Sequence, residues 1–210
     1  MKRGFFISFE GPEGSGKSSQ CKRLAASLRK AGHSVVAVRD PGSTELGRAL
    51  RRVLLHSRQR LSPMAEALLF FAGRVQLMNE QILPALRKGK VVITDRFHDS
   101  TIAYQGFGGG LDVRWLDATG RAAVDNRLPD LTLLLDLPVE AGFARLKRTK
   151  DRMERKALSL HRRVRNGYLE LARRNAKRIV RLSAMGDERA IAAEVLAAVQ
   201  RRLRNPRGKG

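Results

Sequence analysis

The segment FFISFEGPEGSGKSSQ, residues 5–20, joins a short apolar run to a glycine-rich loop and then to a helical pattern. From Gly11 to Ser18 the segment matches G-x-x-x-x-G-K-[ST], a loop pattern that binds polyphosphates when a strand precedes it and a helix follows it. Glycines let the backbone amides face a polyphosphate, and the helix N-terminus favours the same anion. We therefore expect ATP or GTP binding by Gly11, Pro12, Glu13, Gly14, Ser15, Gly16, Lys17 and Ser18, with Lys17 on the β and γ phosphates and Ser18 on Mg²⁺.

Apolar runs beyond this segment alternate with helical patterns along the chain, which predicts an α/β protein with a parallel sheet. Together with the loop, this alternation indicates a P-loop NTPase fold with five strands and helices on both faces. The predicted strands are 5–9, 34–38, 91–94, 131–137 and 178–182. The predicted helices are 17–31, 45–56, 63–87, 113–126, 140–146, 153–175 and 187–203. Pro84 is expected to kink or end the third helix. We expect a single domain over 1–203 and a mobile basic tail at 204–210.

The chain is strongly basic, because 42 Lys and Arg oppose 20 Asp and Glu among 210 residues and give a net charge of +22. Such a charge attracts nucleotides, nucleic acid or acidic lipid without distinguishing among them. Cys21 is the only cysteine, which excludes an intrachain disulfide and a multi-cysteine zinc site. No apolar run is long enough for a signal peptide or a membrane span, so the sequence predicts a cytoplasmic protein.

Charged residues follow the predicted strands at the edge where open α/β sheets bind ligands. Asp95 ends the third strand, where it can hold Mg²⁺ directly or through water, or can merely cap the next helix. Arg39 and Arg96 follow the second and third strands, and Arg74 lies on the helix between them. Guanidinium groups bind phosphate in a bidentate manner, so this set favours a phosphomonoester as the phosphoryl acceptor.

Two pairs of side chains have the i, i+4 spacing that places them on one helix face. Phe70 and Arg74 form the first pair, which can stack on a base and bond its edge, although Phe70 can equally be a core aromatic. Ser100 and Tyr104 form the second, with Gln105 next to them, and these side chains can contact a sugar and a base.

These segments together resemble bacterial thymidylate kinase from Phe5 to Leu203, which is nearly the whole chain. The most specific part is the Asp-Arg-aromatic segment that runs into Ala-Tyr-Gln-Gly, because many unrelated enzymes share the phosphate loop. The matching segments are Gly11 to Gln20, Arg39 to Gly42, Leu68 to Arg74, Asp95 to Ser100, Ala103 to Gly106, Leu128 to Leu131 and Asp151 to Glu154.

The resemblance implies that the chain phosphorylates dTMP to dTDP with ATP and Mg²⁺, a step in dTTP synthesis, and that it forms a homodimer. It implies that Glu13 bonds the 3′-hydroxyl of the acceptor sugar, that Arg39 and Arg96 bind the acceptor phosphate, and that Tyr104 disfavours a 2′-hydroxyl.

For the base, the resemblance implies that Phe70 stacks on thymine and that Arg74 bonds the base edge. Thr101 and Gln105 match positions close to the base in the family.

For the metal and the donor, the resemblance implies that Glu10 and Asp95 lie near Mg²⁺. A loop with Glu13 and no arginine goes with catalytic arginines in a mobile lid, which corresponds here to about 145–153. Arg148 and Arg152 would then close over the γ-phosphate.

The sequence departs from the family pattern at Asp40, Ser43 and Gly73, and its lid is a few residues short. Other readings stay open at this point. A kinase for another nucleotide or for a nucleoside fits the same scaffold, although a nucleoside acceptor calls for a base beside its hydroxyl. A nucleic-acid-binding ATPase fits the charge, but aromatic residues make up only 5% of the chain and leave few platforms for stacking.

Overall fold

The fold is built on one five-stranded parallel sheet, as predicted. The computed structural model describes residues 4–57, 60–146 and 151–204. The sheet order is β2-β3-β1-β4-β5. The strands are β1 (Phe5–Glu10), β2 (Val35–Arg39), β3 (Val91–Asp95), β4 (Leu131–Asp136) and β5 (Ile179–Ser183).

Helices follow the strands and cover the sheet. The helices of the described residues are α1 (Lys17–Lys30), α2 (Glu45–Arg51), α3 (Pro63–Leu77), α4 (Leu83–Arg87), α5 (His98–Thr101), α6 (Val113–Ala122), α7 (Val139–Ala144), α8 (Leu158–Arg174) and α9 (Glu188–Arg204). Turns of π-helix extend α2 at Arg52–His56, join α3 to α4 at Met78–Ile82, and extend α5 at Ile102–Gly108. No helix in this part of the chain is long and apolar enough to cross a membrane.

Both faces of the sheet are buried, which confirms the predicted layers. On β1, Phe5, Ile7 and Phe9 share a core cluster with side chains of α1 and α9. Phe6 points the other way, into a cluster with side chains of α3 and α4. This alternation is the period of two that a strand imposes on its side chains.

The sheet register places the candidate site residues at one edge. Arg39 at the end of β2 lies opposite Asp95 at the end of β3, and Asp95 lies opposite Phe9 of β1. The loop Gly11–Gly16 and the residues after β3 therefore leave the sheet side by side.

The predicted helices do not include the helix from His98 to Gly108, although the spacing of Ser100 and Tyr104 is helical. Nearly every side chain in this segment is buried, so no amphipathic period marks it in the sequence. The predicted helix from Met153 was also wrong at its start, because α8 begins at Leu158 and the preceding residues form turns. At Pro84 the expected interruption is present, since the α-helical pattern stops at Leu77 and resumes at Leu83. Proline has no N–H to donate and its ring clashes with the carbonyl four residues earlier.

Candidate active site

A cavity of about 510 Å³ lies at the carboxyl edge of the sheet, between the phosphate loop, the ends of β2 and β3, and helices α3 and α5. Most of the site residues predicted from the sequence line it. These are Glu13, Gly14, Ser15, Gly16, Lys17, Ser18, Arg39, Phe70, Arg74, Asp95, Arg96, Ser100, Thr101, Tyr104 and Gln105. The structure thus brings the phosphate loop and the proposed acceptor residues into one space.

The phosphate loop is closed on itself around Lys17. The Lys17 Nζ donates to the carbonyl oxygens of Gly11 and Pro12 at 3.0 and 2.7 Å and to the Ser15 Oγ at 3.1 Å. Burial and the neighbouring Arg96 lower the pKa of Lys17 to about 8. The ammonium therefore sits where a phosphate would relieve an unfavourable environment for positive charge.

The backbone of α7 packs closely against the phosphate loop. Gly14 has a φ of +69°, and a Cβ at this position would lie 2.0 Å from the carbonyl oxygen of Gly142. Only glycine allows the two backbones to approach this closely. The position of α7 therefore helps to set the shape of the loop.

Oxygen atoms suited to Mg²⁺ lie beside the loop. The Ser18 Oγ donates to the Asp95 Oδ2 at 2.5 Å, and the Arg39 Nη2 lies 3.5 Å from the same oxygen. Mg²⁺ prefers oxygen ligands and keeps several waters and phosphate oxygens, so one carboxylate and one hydroxyl fit it. Among the described residues, no group of three His, Cys, Asp or Glu side chains forms a metal site by itself.

Glu10 does not line this cavity, and its place near the metal stays a prediction. Its carboxylate is fully buried, where it accepts from the Phe97 N–H at 2.8 Å, the Ser100 Oγ at 2.5 Å and the Tyr168 hydroxyl at 3.2 Å. Burial, together with the nearby Asp99, raises the pKa of Glu10 to about 7. Glu10 therefore holds the segment after β3 in place, and both of its carboxylate oxygens accept hydrogen bonds from this protein.

Arg96 is the centre of a hydrogen-bond network at the cavity wall. Its Nη2 donates to the Glu13 Oε1 at 2.9 Å and lies 3.2 Å from the Tyr104 hydroxyl. Its Nη1 lies 3.2 Å from the Ser100 Oγ and 3.1 Å from the Tyr168 hydroxyl. The backbone of Arg96 has a φ of +71°, which non-glycine residues rarely adopt and which often marks functional sites.

Glu13 is the anionic member of this network. It accepts from the Tyr104 hydroxyl at 2.6 Å as well as from Arg96. Burial opposes its ionisation, but Arg96 and Lys17 outweigh burial and lower the pKa of Glu13 to about 2. Glu13 is thus a fixed carboxylate that can accept from a sugar hydroxyl.

Arg74 is buried and pinned at the far end of the cavity. Its Nε donates to the Asp40 Oδ2 at 2.6 Å, and its Nη2 donates to the Phe97 carbonyl at 3.1 Å and the Thr101 Oγ1 at 2.9 Å. Its Nη1 has no hydrogen-bond partner among the described residues. Phe70 lines the cavity next to it. A stationary donor beside an aromatic ring is suited to the edge and face of a nucleobase.

The neighbouring aromatic residue has a different role. Phe71 belongs to the buried core and packs on Trp115 with ring centroids 6.4 Å apart. Phe70 is partly buried against the same cluster and also lines the cavity, so it belongs to both the core and the cavity wall.

Sequence reasoning missed Arg51, a further arginine of the cavity wall. Its Nη1 donates to the Pro41 carbonyl at 3.1 Å. Burial and the nearby Arg39 lower its pKa. The helix α2 carries two arginines, Arg48 and Arg51, and only the tertiary structure shows that Arg51 is the one that lines the cavity. Together with Arg39 and Arg96, Arg51 places three positive charges at the cavity, where they can bind an anion.

The structure describes one of the two predicted lid arginines. Arg148 lies outside the described residues. Arg152 donates from Nε to the Leu54 carbonyl at 2.7 Å and from Nη1 to the Glu66 Oε1 at 2.8 Å, and it does not line the cavity. Its buried carboxylate partner was invisible in the local sequence. A catalytic role for Arg152 would require this segment to move.

A phosphate loop that opens onto an arginine-lined pocket, with a base-sized recess beyond it, defines a P-loop kinase that acts on a nucleoside monophosphate. The family model of thymidylate kinase matches residues 9–195. On that match the chain belongs to the thymidylate kinase family of phosphotransferases.

Known relatives agree along almost the whole chain. A thymidylate kinase of a Synechococcus species is 46% identical over 198 residues, covering 94% of this chain and 95% of the relative. That of Deinococcus radiodurans is 44% identical over 204 residues, covering 96% and 99%. The crystal structure of thymidylate kinase from Ehrlichia chaffeensis superimposes with a TM-score of 0.78 at 33% identity, covering 94% of this chain and 99% of that one.

Proposed function

We propose that this chain, as a member of its family, transfers the γ-phosphate of ATP to dTMP with Mg²⁺, and that the residues of the cavity perform this reaction. The observation that carries the residue assignment is Arg96, which stands between the phosphate loop and the nucleoside recess and bonds Glu13 and Tyr104. A cation at this position can hold the acceptor phosphate while its neighbours hold the acceptor sugar.

The acceptor phosphate binds to Arg39, Arg51 and Arg96. Guanidinium groups match phosphate geometry and stay charged at all physiological pH values. With its charge neutralised, a phosphate oxygen of dTMP attacks the γ-phosphorus of ATP. A new P–O bond forms, the bond from the γ-phosphorus to the bridging oxygen breaks, and ADP leaves.

Lys17 and the loop amides hold the β and γ phosphates of the donor, and charge stabilisation of this kind supplies most of the catalysis in phosphoryl transfer. Ser18 and Asp95 would hold Mg²⁺, which neutralises charge on the β and γ phosphates when bound. The catalytic role of lid arginines stays a prediction, because Arg148 lies outside the described residues and Arg152 is bound to Glu66.

A nucleoside acceptor is not favoured by this chemistry. A nucleoside hydroxyl needs a general base with a pKa near the working pH. Glu13 is the carboxylate closest to Arg96 and Tyr104, and its pKa of about 2 makes it a weak base. An acceptor phosphate is already ionised and needs no base.

The base is read by an acceptor and a donor at the far end of the cavity. The Gln105 Oε1 and the Arg74 Nη1 are both buried without partners among the described residues. An acceptor and a donor on the wall of one cavity can complement the N3–H and O4 of thymine, and Phe70 offers a surface for stacking. Cytosine presents the opposite pattern at the same edge.

Replacing Arg96 tests this proposal. We expect Arg96→Ala to lose at least about a hundredfold in kcat/KM for dTMP, because phosphoryl transfer depends on such charges. ATP binding, measured separately by calorimetry, should change little. Arg114→Ala is the matched control, because the Arg114 side chain is 94% exposed on α6. Unchanged turnover of Arg96→Ala would remove the proposed acceptor site.

We further propose a homodimer formed through α2, α3 and α6. Large apolar side chains are exposed on all three helices: Leu46, Val53, Met64, Leu68 and Trp115. Phe71 of α3 packs on Trp115 of α6, and α2 packs on α3, so the three helices are neighbours. Apolar patches of this kind mark interfaces. A second copy of the chain is the proposed occupant, since it can offer the same apolar side chains in return.

A further inference from the structure

Glu66 is a buried carboxylate outside the catalytic cavity, and it accepts hydrogen bonds both from Gln105 of the cavity wall and from the 151–156 segment. It lies on α3 with only 1% of its surface exposed. Its Oε2 accepts from the Gln105 Nε2 at 2.9 Å. Its Oε1 accepts from the Arg152 Nη1 and the Lys156 Nζ, both at 2.8 Å, and the Lys156 Nζ also donates to Oε2 at 3.0 Å. Burial opposes the ionisation of Glu66, but the hydrogen bonds from Lys156 and Gln105 outweigh it and lower the pKa of this carboxyl.

An ionised carboxylate can only accept hydrogen bonds, and this decides the orientation of the Gln105 amide. The amide has one donating and one accepting end, and Glu66 can bind only the nitrogen end. The oxygen end, Oε1, is left without a partner among the described residues, in a side chain that lines the cavity. A neutral side chain in place of Glu66 could also donate a hydrogen bond, so it would not decide the orientation of the Gln105 amide.

We propose that Glu66 is a positioning residue for base specificity, which fixes the Gln105 amide so that its oxygen faces the nucleobase. This inference rests on the proposed dTMP site. With the Gln105 Oε1 and the Arg74 Nη1 both unpaired among the described residues, the pocket offers an acceptor and a donor, which match the N3–H and O4 of thymine or uracil. A reversed amide would offer two donors, and its nitrogen would then suit the N3 acceptor of cytosine.

Two cations bind the same carboxylate, Arg152 through Oε1 and Lys156 through both oxygens, and they explain why the residue is a carboxylate. Arg152 and Lys156 would bind the single carbonyl oxygen of a glutamine at this position. The nitrogen of that glutamine would then face Gln105 and favour the reversed amide. Glu66 satisfies both cations and still accepts from Gln105, so one side chain links the 151–156 segment to the base recess.

The test is Glu66→Gln, assayed by the ratio of kcat/KM for dTMP to kcat/KM for dCMP. We expect this ratio to fall at least about tenfold, since one hydrogen bond is exchanged for an unsatisfied polar contact. The loss should lie mainly in the KM for dTMP, because base contacts exist before and during the reaction. A ratio within about twofold of the unmodified enzyme, in a protein with an unchanged fold by circular dichroism, would overturn the inference.

Lys156→Ala is the matched control, because it removes a partner of the same carboxylate and leaves the bond to Gln105 intact. Its ratio should stay unchanged even if its stability falls. If the ratio falls as much as in Glu66→Gln, Glu66 acts only through general packing and the inference is wrong. If the unmodified enzyme shows no preference for dTMP, the proposed function fails, which is a distinct result from a preference that survives Glu66→Gln.

A measurement on the unmodified protein covers the case in which Glu66→Gln does not fold. Nuclear magnetic resonance can follow the side-chain amide protons of Gln105, assigned by their loss in Gln105→Met. Bound to Glu66, these protons should be protected from exchange before nucleotide is added. Protection that arises only when dTMP binds would mean that the nitrogen faces the base, and it would overturn the inference.

Discussion

Buried ionisable side chains around the phosphate loop have pKa values that are displaced in different directions. That of Glu13 falls to about 2 and that of Lys17 to about 8, while that of Glu10 rises to about 7. The causes differ, because Glu13 contacts a guanidinium, whereas burial dominates for Glu10 and Lys17. Each displacement predicts a measurable dependence on pH.

Glu10 should make the protein less stable as the pH rises from about 4.5 to about 7. In this range the folded protein holds a proton on Glu10 that the unfolded chain has released, so the contribution is complete below about 4.5 and is lost through about 7. We expect the free energy of unfolding of Glu10→Gln to lack this decline, a difference on the order of 1–3 kcal/mol between about pH 5 and pH 8. Urea unfolding of both proteins measures it, and parallel pH profiles would contradict it.

Lys17 should take up a proton when ATP binds above about pH 8. The free protein has partly lost this charge, and a bound polyphosphate restores it. At about pH 8.5, the calorimetric binding enthalpy of Mg-ATP should therefore depend on the ionisation enthalpy of the buffer. Lys17→Arg, which stays charged, should show a smaller dependence. Equal proton uptake by the two proteins would argue against a displaced lysine.

At the scale of elements, the contact between α7 and the phosphate loop is the closest backbone approach at the site. A Cβ on Gly142 would lie 2.2 Å from the Glu13 carbonyl oxygen, so neither backbone can accept a larger residue without moving. The loop conformation thus depends on a helix more than 120 residues later in the chain.

Gly142→Ala should displace the phosphate loop. We expect a loss of about 1–3 kcal/mol in the free energy of unfolding from overpacking, and weaker ATP binding. Thermal unfolding and calorimetric titration measure the two effects. The control is Ala144→Ser, which changes an exposed position on the same helix. Unchanged ATP affinity in Gly142→Ala would show that α7 does not shape the loop.

Elements with a local signature were predictable from the sequence. The strands, the loop Gly11–Ser18 and the strand-end residues Arg39, Asp95 and Arg96 follow from contiguous patterns, and the structure brings these residues into one cavity. The helix His98–Gly108 was missing from the predicted helices, because its nearly complete burial removes the amphipathic period and leaves only the spacing of Ser100 and Tyr104.

Side chains whose place depends on distant partners were also beyond the sequence. The bonds of Glu10 to Ser100 and Tyr168 are one case. The bond of Arg152 to Glu66, which is 86 residues away, is another. Both are buried hydrogen bonds that only the tertiary structure determines, while the predicted roles of Glu10 near the metal and of Arg152 over the γ-phosphate stay predictions.

At the scale of the whole molecule, the apolar surface of α2, α3 and α6 determines the expected assembly. Sedimentation velocity should give twice the chain mass of 23.4 kDa. Leu68→Glu should give the single mass, because Leu68 is 50% exposed within this surface. Leu158→Glu changes a side chain that is 43% exposed on α8 and should leave the dimer intact. A dimer that survives Leu68→Glu, or is lost equally in both variants, would place the interface elsewhere.

The central claim is that one cavity holds a triphosphate donor beside a thymine monophosphate. The most direct test measures ADP formation with Mg-ATP and a panel of dTMP, dUMP, dCMP, dGMP, AMP and thymidine. We expect dTMP to give the highest kcat/KM, dCMP to be poor because Arg74 and Gln105 do not match its edge, and thymidine to be inactive because it brings no phosphate to Arg96. Phosphorylation of thymidine, or equal rates with dTMP and dCMP, would contradict the account.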